Sequence, residues 1–355
     1  YNQYAHLNFY VGKPSALSSC CRLKNDYDLL ASANSNFDTM KEGYFNSFGA
    51  SNNLKIGSHR VVAINLPRIA YKSQLGNVSN ETIKNRFIEY LEEILNDIYK
   101  ILHIHRNILK DRISKGLLPL YNYKILELER QFSTVGIVGL YEAIEIALKG
   151  QTITSEEGLM FAEEILDFIN DKNKEMTKFY NHAHNLEQIP AESASVKLAK
   201  KDEIYTKGNL KYPLYSNQVI PLTSTDIIME RIRIQSKLDS KFTGGAILHL
   251  NSSNKLTDKQ QFELIKLSAE KGISYFAINY VLAECEKGHL FISDNHSTTC
   301  PVCGANIKEY YTRVVGFLTP VKESWNEVRK NYEFGKRNFY NTNEWKLKNE
   351  NENRS

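Results

Sequence analysis

Five cysteines and a few histidines carry most of the chemistry this sequence can offer. Cys300-Pro-Val-Cys303-Gly304 is one half of a zinc ribbon or knuckle. Two thiolates at that spacing can bind one ion from a tight turn, and the glycine relieves the backbone that follows. A structural zinc needs two further ligands. Cys285 supplies one. The segment Cys285-Glu-Lys-Gly-His289 makes His289 the choice for the other, giving a Cys3His site with His296 as the fallback. Four protein ligands leave no place for substrate, so such a site serves folding. Near the other end of the chain, Cys20 and Cys21 are adjacent and read as a reactive pair. Neighbouring side chains on a strand point to opposite faces, so the two cannot both pack in one core. An odd cysteine count without secretory features argues for a reducing cytosol rather than a disulfide framework. Arg313-Val-Val-Gly316-Phe-Leu, taken alone, reads as a strand with a glycine kink.

Strands alternating with helices must position these groups. Residues 1–80 alternate short apolar runs with Asn/Ser/Gly-rich turns. Arg60 to Ala70 is the clearest strand candidate, a β-branched run stopped by Pro67. Residues 81–115 are helical by period, with Phe87, Leu91, Leu95, Ile98 and Leu102 recurring at steps of three and four. Further helices are expected around 156–184 and 258–271, and buried strands at Ala246 to Leu250 and Ser274 to Ala283. This order implies an α/β architecture. The Asn/Glu/Lys-rich tail after about 340 is expected to fray.

Composition sets the outer bounds. The 355 residues are 42% hydrophobic and 24% charged, which is ordinary for a globular chain. A net charge of +4 with mixed signs suits a small anionic substrate and does not argue for a nucleic-acid surface. No run of 18 apolar residues exists, so no membrane span is expected, and no signal-peptide pattern opens the chain. The expected location is the cytoplasm. The first residue, Tyr1, lies in an aromatic, apolar segment. It reads as the start of a piece cut from something longer, or as the second part of a split protein.

Taken in order, several segments together resemble the anaerobic (class III) ribonucleotide reductases, a glycyl-radical family. Ser19-Cys20-Cys21-Arg22-Leu23 is similar to that family's radical-cysteine segment. Gly57-Ser58 followed by Val61-Val62-Ala63-Ile64-Asn65-Leu66-Pro67-Arg68-Ile69-Ala70 is similar to its G-S-x-x-V-V-T-x-N-L-P-R-I-A stretch. Gly139-Leu140-Tyr141-Glu142-Ala143, Pro190-Ala191-Glu192-Ser193-Ala194, Ser216-Asn217-Gln218 with Ile220-Pro221, and Gly244-Gly245-Ala246 with His249 follow in the family's order. The zinc cluster and the Arg313 to Leu318 stretch complete the set, resembling the glycyl-radical loop. The resemblance covers residues from about 15 to 340. Missing are the family's N-terminal regions: the ATP-cone, where present, and the early part of the catalytic barrel.

The resemblance implies part of a ten-stranded α/β barrel plus a small zinc-ribbon-like module. Residues 1–278 would be the barrel portion with the radical-cysteine loop, 279–308 the zinc module, and 309–355 the glycyl-radical loop and tail. Gly316 would store the radical, since a residue without Cβ lets the α-carbon flatten. A separate radical-SAM activase, using a 4Fe-4S cluster and S-adenosylmethionine, would install it. Cys21 would become the thiyl that takes the 3′-hydrogen of a ribonucleotide, most simply a triphosphate. Cys20 is either the reducing thiol or a spectator. Formate-dependent members typically read M-G-C-R, with Asn where Ser58 stands here. This departure points to a thioredoxin- or glutaredoxin-like donor in place of formate. Pro190, Ala191, Glu192, Ser193 and Ala194 precede a helix and suit phosphate binding, the alternative being an ordinary cap by Ser193. Glu142, Glu192 and Asn217 are placed near the ribose, Ser58 joins the substrate-binding set, and Arg68 supports a loop. The expected assembly is a homodimer, with an N-terminal partner chain if the protein is split.

Three other readings compete. A pyruvate formate-lyase type of glycyl-radical enzyme also has adjacent cysteines and an R-V-x-G-Y loop, but lacks a zinc ribbon before the glycine. A non-catalytic zinc-ribbon module leaves nearly 300 residues without a task. An incomplete split subunit, inactive without its other half, would leave open strand edges that need covering.

Overall fold

The computed structural model of the chain describes residues 8–11, 16–19, 23–26, 57–208, 211–224, 227–293, 296–314 and 318–341, with 16–19 and 23–26 described by backbone alone. Cys20, Cys21 and Gly316 lie outside these residues. The chain divides into two compact units. One comprises residues 1–11, 190–236 and 247–355, the other residues 12–189 and 237–246. Strand β1 (Asn8–Tyr10) belongs to the first, and the antiparallel pair β2 (Ala16–Ser19) and β3 (Leu23–Asp26) to the second.

The unit centred on residues 12–189 is built on a parallel sheet of β4 (Gly57–Asn65), β5 (Gln131–Val138) and β6 (His184–Gln188), with β5 in the middle. Every residue of β5 is buried, as expected of a parallel strand covered on both faces. Gly136 is there because a Cβ would come 2.4 Å from Cγ2 of Ile189. Helix α1 (Leu66–Ser73) follows β4 directly. The expected strand therefore stops at Asn65, and Leu66 to Ala70 are helical. Pro67 sits in the first turn, where a missing N–H costs nothing, and the Asn65 side chain accepts from the Arg68 N–H at 3.3 Å. Pro67 thus opens a helix here instead of merely closing a strand.

Helix α2 (Asn80–Ser114) matches the periodic stretch and buries Ile83, Phe87, Leu91, Leu95, Ile98 and Leu102 along one stripe. After β5, helix α3 (Leu140–Ala147) begins at Gly139, whose φ of 75° is a left-handed turn that favours glycine. Helix α4 (Glu156–Tyr180) packs on α2, with the rings of Phe87 and Phe161 edge to face at 5.3 Å. It ends earlier than its expected range because Asn181 turns left-handed at φ 56°, and the chain enters β6.

The other unit contains helix α5 (Ala194–Lys201) and most of α6 (Ile228–Leu238). It also holds β7 (Leu248–Asn251), helix α7 (Asp258–Glu270) and β8 (Tyr275–Asn279). β8 pairs parallel with β7 and antiparallel with β1. A capping box of Thr257 and Gln260 starts α7. The strand expected over Ser274 to Ala283 is in fact two, β8 and β9 (Val281–Cys285), which join different sheets. β9 is central in an antiparallel sheet with β10 (Leu290–Ser293), β11 (Ile307–Arg313) and β12 (Leu318–Pro320), in the order β10-β9-β11-β12. The core beneath it gathers Val281, Ala283, Ile307, Tyr310, Val314, Val321, Trp325 and Phe334. The fold is therefore mixed α/β, and among the described residues no sheet closes on itself. No helix among them is long and apolar enough to cross a membrane.

Candidate metal centre and nucleotide site

The antiparallel sheet brings the four expected metal ligands together. Cys285 ends β9, His289 directly precedes β10, and Cys300 and Cys303 lie in the turn before β11. Gly288 and Gly304 both take positive φ, at 80° and 70°, closing the two knuckles. Their N–H groups donate to the carbonyls of Cys285 (2.8 Å) and Cys300 (2.9 Å). His289 Nδ1 lies 3.5 Å from Cys285 Sγ, 3.3 Å from Cys303 Sγ and 3.8 Å from Cys300 Sγ, and the Cys285 and Cys303 sulfurs are 3.9 Å apart. All four donor atoms fall within 4.8 Å of one another, a group that excludes His296.

Bond lengths of about 2.3 Å to sulfur and about 2.0 Å to nitrogen put tetrahedral edges at roughly 3.5–3.8 Å. The observed spacings match those edges. They are also far too long for a disulfide, whose sulfurs sit about 2.05 Å apart. The three cysteines are free thiols. Burial opposes ionisation of Cys285, yet N–H groups of His289 and Lys287 and hydrogen bonds with Cys300 and His289 outweigh it. They hold this thiol below its ordinary value, while burial and the contacts with Cys300 and Cys285 push Cys303 up. A thiol already inclined to ionise is the form a metal binds. The cluster can therefore hold a metal ion.

The polar residues expected at the substrate are distributed as follows. Glu142 is 2% exposed in the first turn of α3, at the carboxyl end of the parallel sheet, where ligands of such sheets bind. Ser58 stands at the opposite, amino end of β4. Seven residues separate it from Asn65, about 23 Å at the usual strand rise. The Ser58 hydroxyl donates toward the carbonyls of Arg60 (2.9 Å) and Phe132 (3.2 Å), and Thr134 Oγ1 lies 2.8 Å from it. This sheet does not bring Ser58 and Glu142 together.

In the other unit, Pro190 to Ala194 leads into α5. Ala191 takes a left-handed φ of 50°, and Ser193 occupies the cap position without a capping hydrogen bond from its side chain. The ordinary-cap alternative is therefore not what the hydroxyl does. Glu192 and Ser193 are exposed and line a cleft of about 220 Å³ with Val314, Asn326 and Arg329. That is below the roughly 300 Å³ at which pockets for whole drug-sized ligands begin, but ample for a phosphate end. Asn217 is 6% exposed. Its Nδ2 donates to the carbonyl of Pro190 at 2.7 Å and reaches that of Val314 at 3.4 Å. One amide thus ties this segment to the strand end that runs toward Gly316.

Buried arginines hold this arrangement, and of them the motifs include only Arg313. Arg231 donates to the carbonyls of Ile220 (2.8 Å) and Pro221, and to the Tyr340 hydroxyl (2.7 Å), fixing the Ser216–Pro221 stretch. Arg313 is 1% exposed, pairs with Asn8, and has its pKa lowered by burial to about 10. The steps of four from Arg329 to Glu333 to Arg337 are visible in the sequence, but they fall between the glycine motif and the tail, where no motif is read.

The order of the motifs read along the sequence is one family's pattern, and comparison with known proteins agrees. The chain matches the family model of the anaerobic ribonucleoside-triphosphate reductases over residues 1–340 and belongs to that family. An anaerobic ribonucleotide reductase of solved structure is 37% identical, with a TM-score of 0.72 over 82% of this chain and 46% of its own. The anaerobic ribonucleotide reductase of Thermotoga maritima, solved with glycerol in the active site, is 38% identical, with a TM-score of 0.67 over 78% of this chain and 45% of its own. The same enzyme in complex with dATP and CTP is 37% identical, with a TM-score of 0.66 over 76% and 44%. The chain spans about half the length of these relatives. No curated protein gives a match.

Proposed function

We propose that this chain is the radical-bearing part of an anaerobic ribonucleoside-triphosphate reductase. The observation that carries this reading is the family match over residues 1–340, which spans both Cys21 and Gly316. Gly316 stores the radical after a radical-SAM activase, with its 4Fe-4S cluster and S-adenosylmethionine, removes one α-hydrogen. Cys21 passes its thiol hydrogen to that glycyl radical and, as a thiyl, takes the 3′-hydrogen of the ribose. The 2′-hydroxyl leaves as water, and two electrons from a thiol donor of the thioredoxin or glutaredoxin kind, or from formate, reduce the sugar. Cys21 then returns hydrogen to the 3′-carbon. Cys20 is placed as the reducing thiol.

Pro190, Ala191, Glu192, Ser193 and Ala194 receive the phosphates, supported by the cleft at Ser193 and the uncommitted cap position. Glu142 and Asn217 lie on the ribose side, whereas Ser58, at the opposite end of β4 from Glu142, stays outside this set. The ion of the Cys3His cluster is zinc, on the spacing of its donors. Residues 1–278 supply part of a ten-stranded barrel, 279–308 the zinc module, and 309–355 the radical loop and tail. The working assembly is a homodimer in the cytoplasm, completed by the N-terminal half of the barrel, from the same chain or a partner chain. Effector binding follows the Thermotoga maritima relative, whose complex contains dATP.

The test is anaerobic turnover with the activase, a reductant and the N-terminal half present. Deoxyribonucleotide should form, and Cys21→Ser should abolish it. Turnover that survives in Cys21→Ser removes the assigned role, and acetylation of coenzyme A from pyruvate would favour the formate-lyase type.

A further inference from the structure

Arg329 lines the cleft at Ser193, whereas Glu333 and Arg337 have no part in the proposed chemistry, yet the three are 4, 5 and 3% exposed. They follow one another at steps of four along and just beyond the π-helical stretch Arg329–Phe334. Glu333 pairs with both guanidiniums, one through each carboxylate oxygen. Each arginine then reaches a different segment. Arg329 Nη2 donates to the Glu192 carbonyl at 2.9 Å and to Ser195 Oγ at 2.6 Å. Arg337 Nη1 donates to the Arg313 carbonyl at 2.6 Å, and its guanidinium lies 4.7 Å over the Trp325 ring.

Three buried charges are a poor way to hold a fold together, because desolvation offsets most of their attraction and apolar residues of similar size serve as well. What apolar residues cannot do is grip two backbone carbonyls at fixed spacing. A carboxylate with a guanidinium fork on each side sets that spacing through charge-assisted hydrogen bonds. The two carbonyls belong to the segment proposed for the phosphates and to the strand end that leads toward Gly316.

We propose that Glu333 is a positioning residue that, through Arg329 and Arg337, sets the phosphate-binding segment in register with the base of the glycyl-radical loop. This rests on the reductase reading above. The two arms should therefore separate. In the activated, complete enzyme, Arg329→Lys should raise the KM for the nucleotide about tenfold and leave radical spins per chain unchanged. Arg337→Lys should lower spins per chain at least threefold and leave KM unchanged. Glu333→Gln should move both.

Should Glu333→Gln not fold, the combined Arg329→Met, Glu333→Leu, Arg337→Met variant leaves no buried charge unpaired and is read by the same two parameters. The proposal is overturned if Glu333→Gln, or the combined variant in its place, matches the unaltered enzyme in both. Arginine variants that shift the same parameter by the same factor overturn it too. An unaltered enzyme with neither radical nor turnover instead fails the reductase reading itself, and this one with it.

Discussion

At the scale of single residues, the metal cluster is the best-supported part of the site, because four donors from two turns converge at ligand spacing. Cys300→Ser and Cys303→Ser should each drop bound metal from about one per chain to well under half, since a tetrahedral thiolate site tolerates loss of a ligand poorly. Metal analysis after gel filtration reads this directly. Unchanged metal in both variants would contradict the assignment, and full retention in His289→Ala would move the fourth ligand elsewhere. The cysteines and His289 were legible in the sequence because metal ligands cluster along the chain. The buried arginines were not, because nothing in the local pattern of Arg231 or Arg337 separates a buried guanidinium from a solvated one. Only the carbonyls they grip do so.

At the scale of elements, periodicity found the long helices, and their stripes are the ones buried. It misread Leu66 to Ala70, because a short apolar run before and after proline suits either a strand end or a first helical turn, and the cap at Asn65 decides. A second feature of the elements became visible only in three dimensions. His59, His103, His105, His182 and His184 come together from β4, α2 and the start of β6. The rings of His182 and His184 are 4.6 Å apart, and those of His59 and His105 are 5.3 Å apart.

Burial, and secondarily the Arg106 guanidinium, push His59 and His182 down to about 3, while burial and then the neighbouring His182 hold His184 well below its ordinary value. These folded values lie below the unfolded value of about 6.5, so the unfolded chain takes up protons first. The stabilising effect of neutral imidazoles is complete above about pH 6.5 and is lost as pH falls from there toward 3. For His182 the loss is on the order of 1 kcal/mol per pH unit within that window, and His184 adds to it in the same direction. Urea unfolding at pH 7 and pH 5 should show a lower midpoint at pH 5. A midpoint that stays level or rises would contradict the cluster's neutral state. In the same unit, Gly136→Ala should lower the melting temperature by several degrees, because its Cβ would sit 2.4 Å from Ile189 in a fully buried strand. A variant that melts with the unaltered protein would show that the strand has room there.

At the scale of the whole molecule, the chain corresponds to about half of its solved relatives, and among the described residues its parallel sheet ends on β4. An unpaired strand edge exposes backbone groups that another segment can pair with. Adding the N-terminal half should slow amide exchange across residues 57–65 at least tenfold, whereas unchanged exchange would place the contact elsewhere. The motif order made the family legible, but motif order does not say what pairs with β4.

The central claim is that Gly316 carries a radical, and electron paramagnetic resonance tests it most directly. After anaerobic incubation of the completed enzyme with its activase, S-adenosylmethionine and a reductant, the spectrum should be a doublet, split by the one α-hydrogen left on Gly316. Gly316→Ala should erase it, and Cys21→Ser should keep it. A doublet that persists in Gly316→Ala, or a spectrum that stays silent in the unaltered enzyme under activation, would contradict the account.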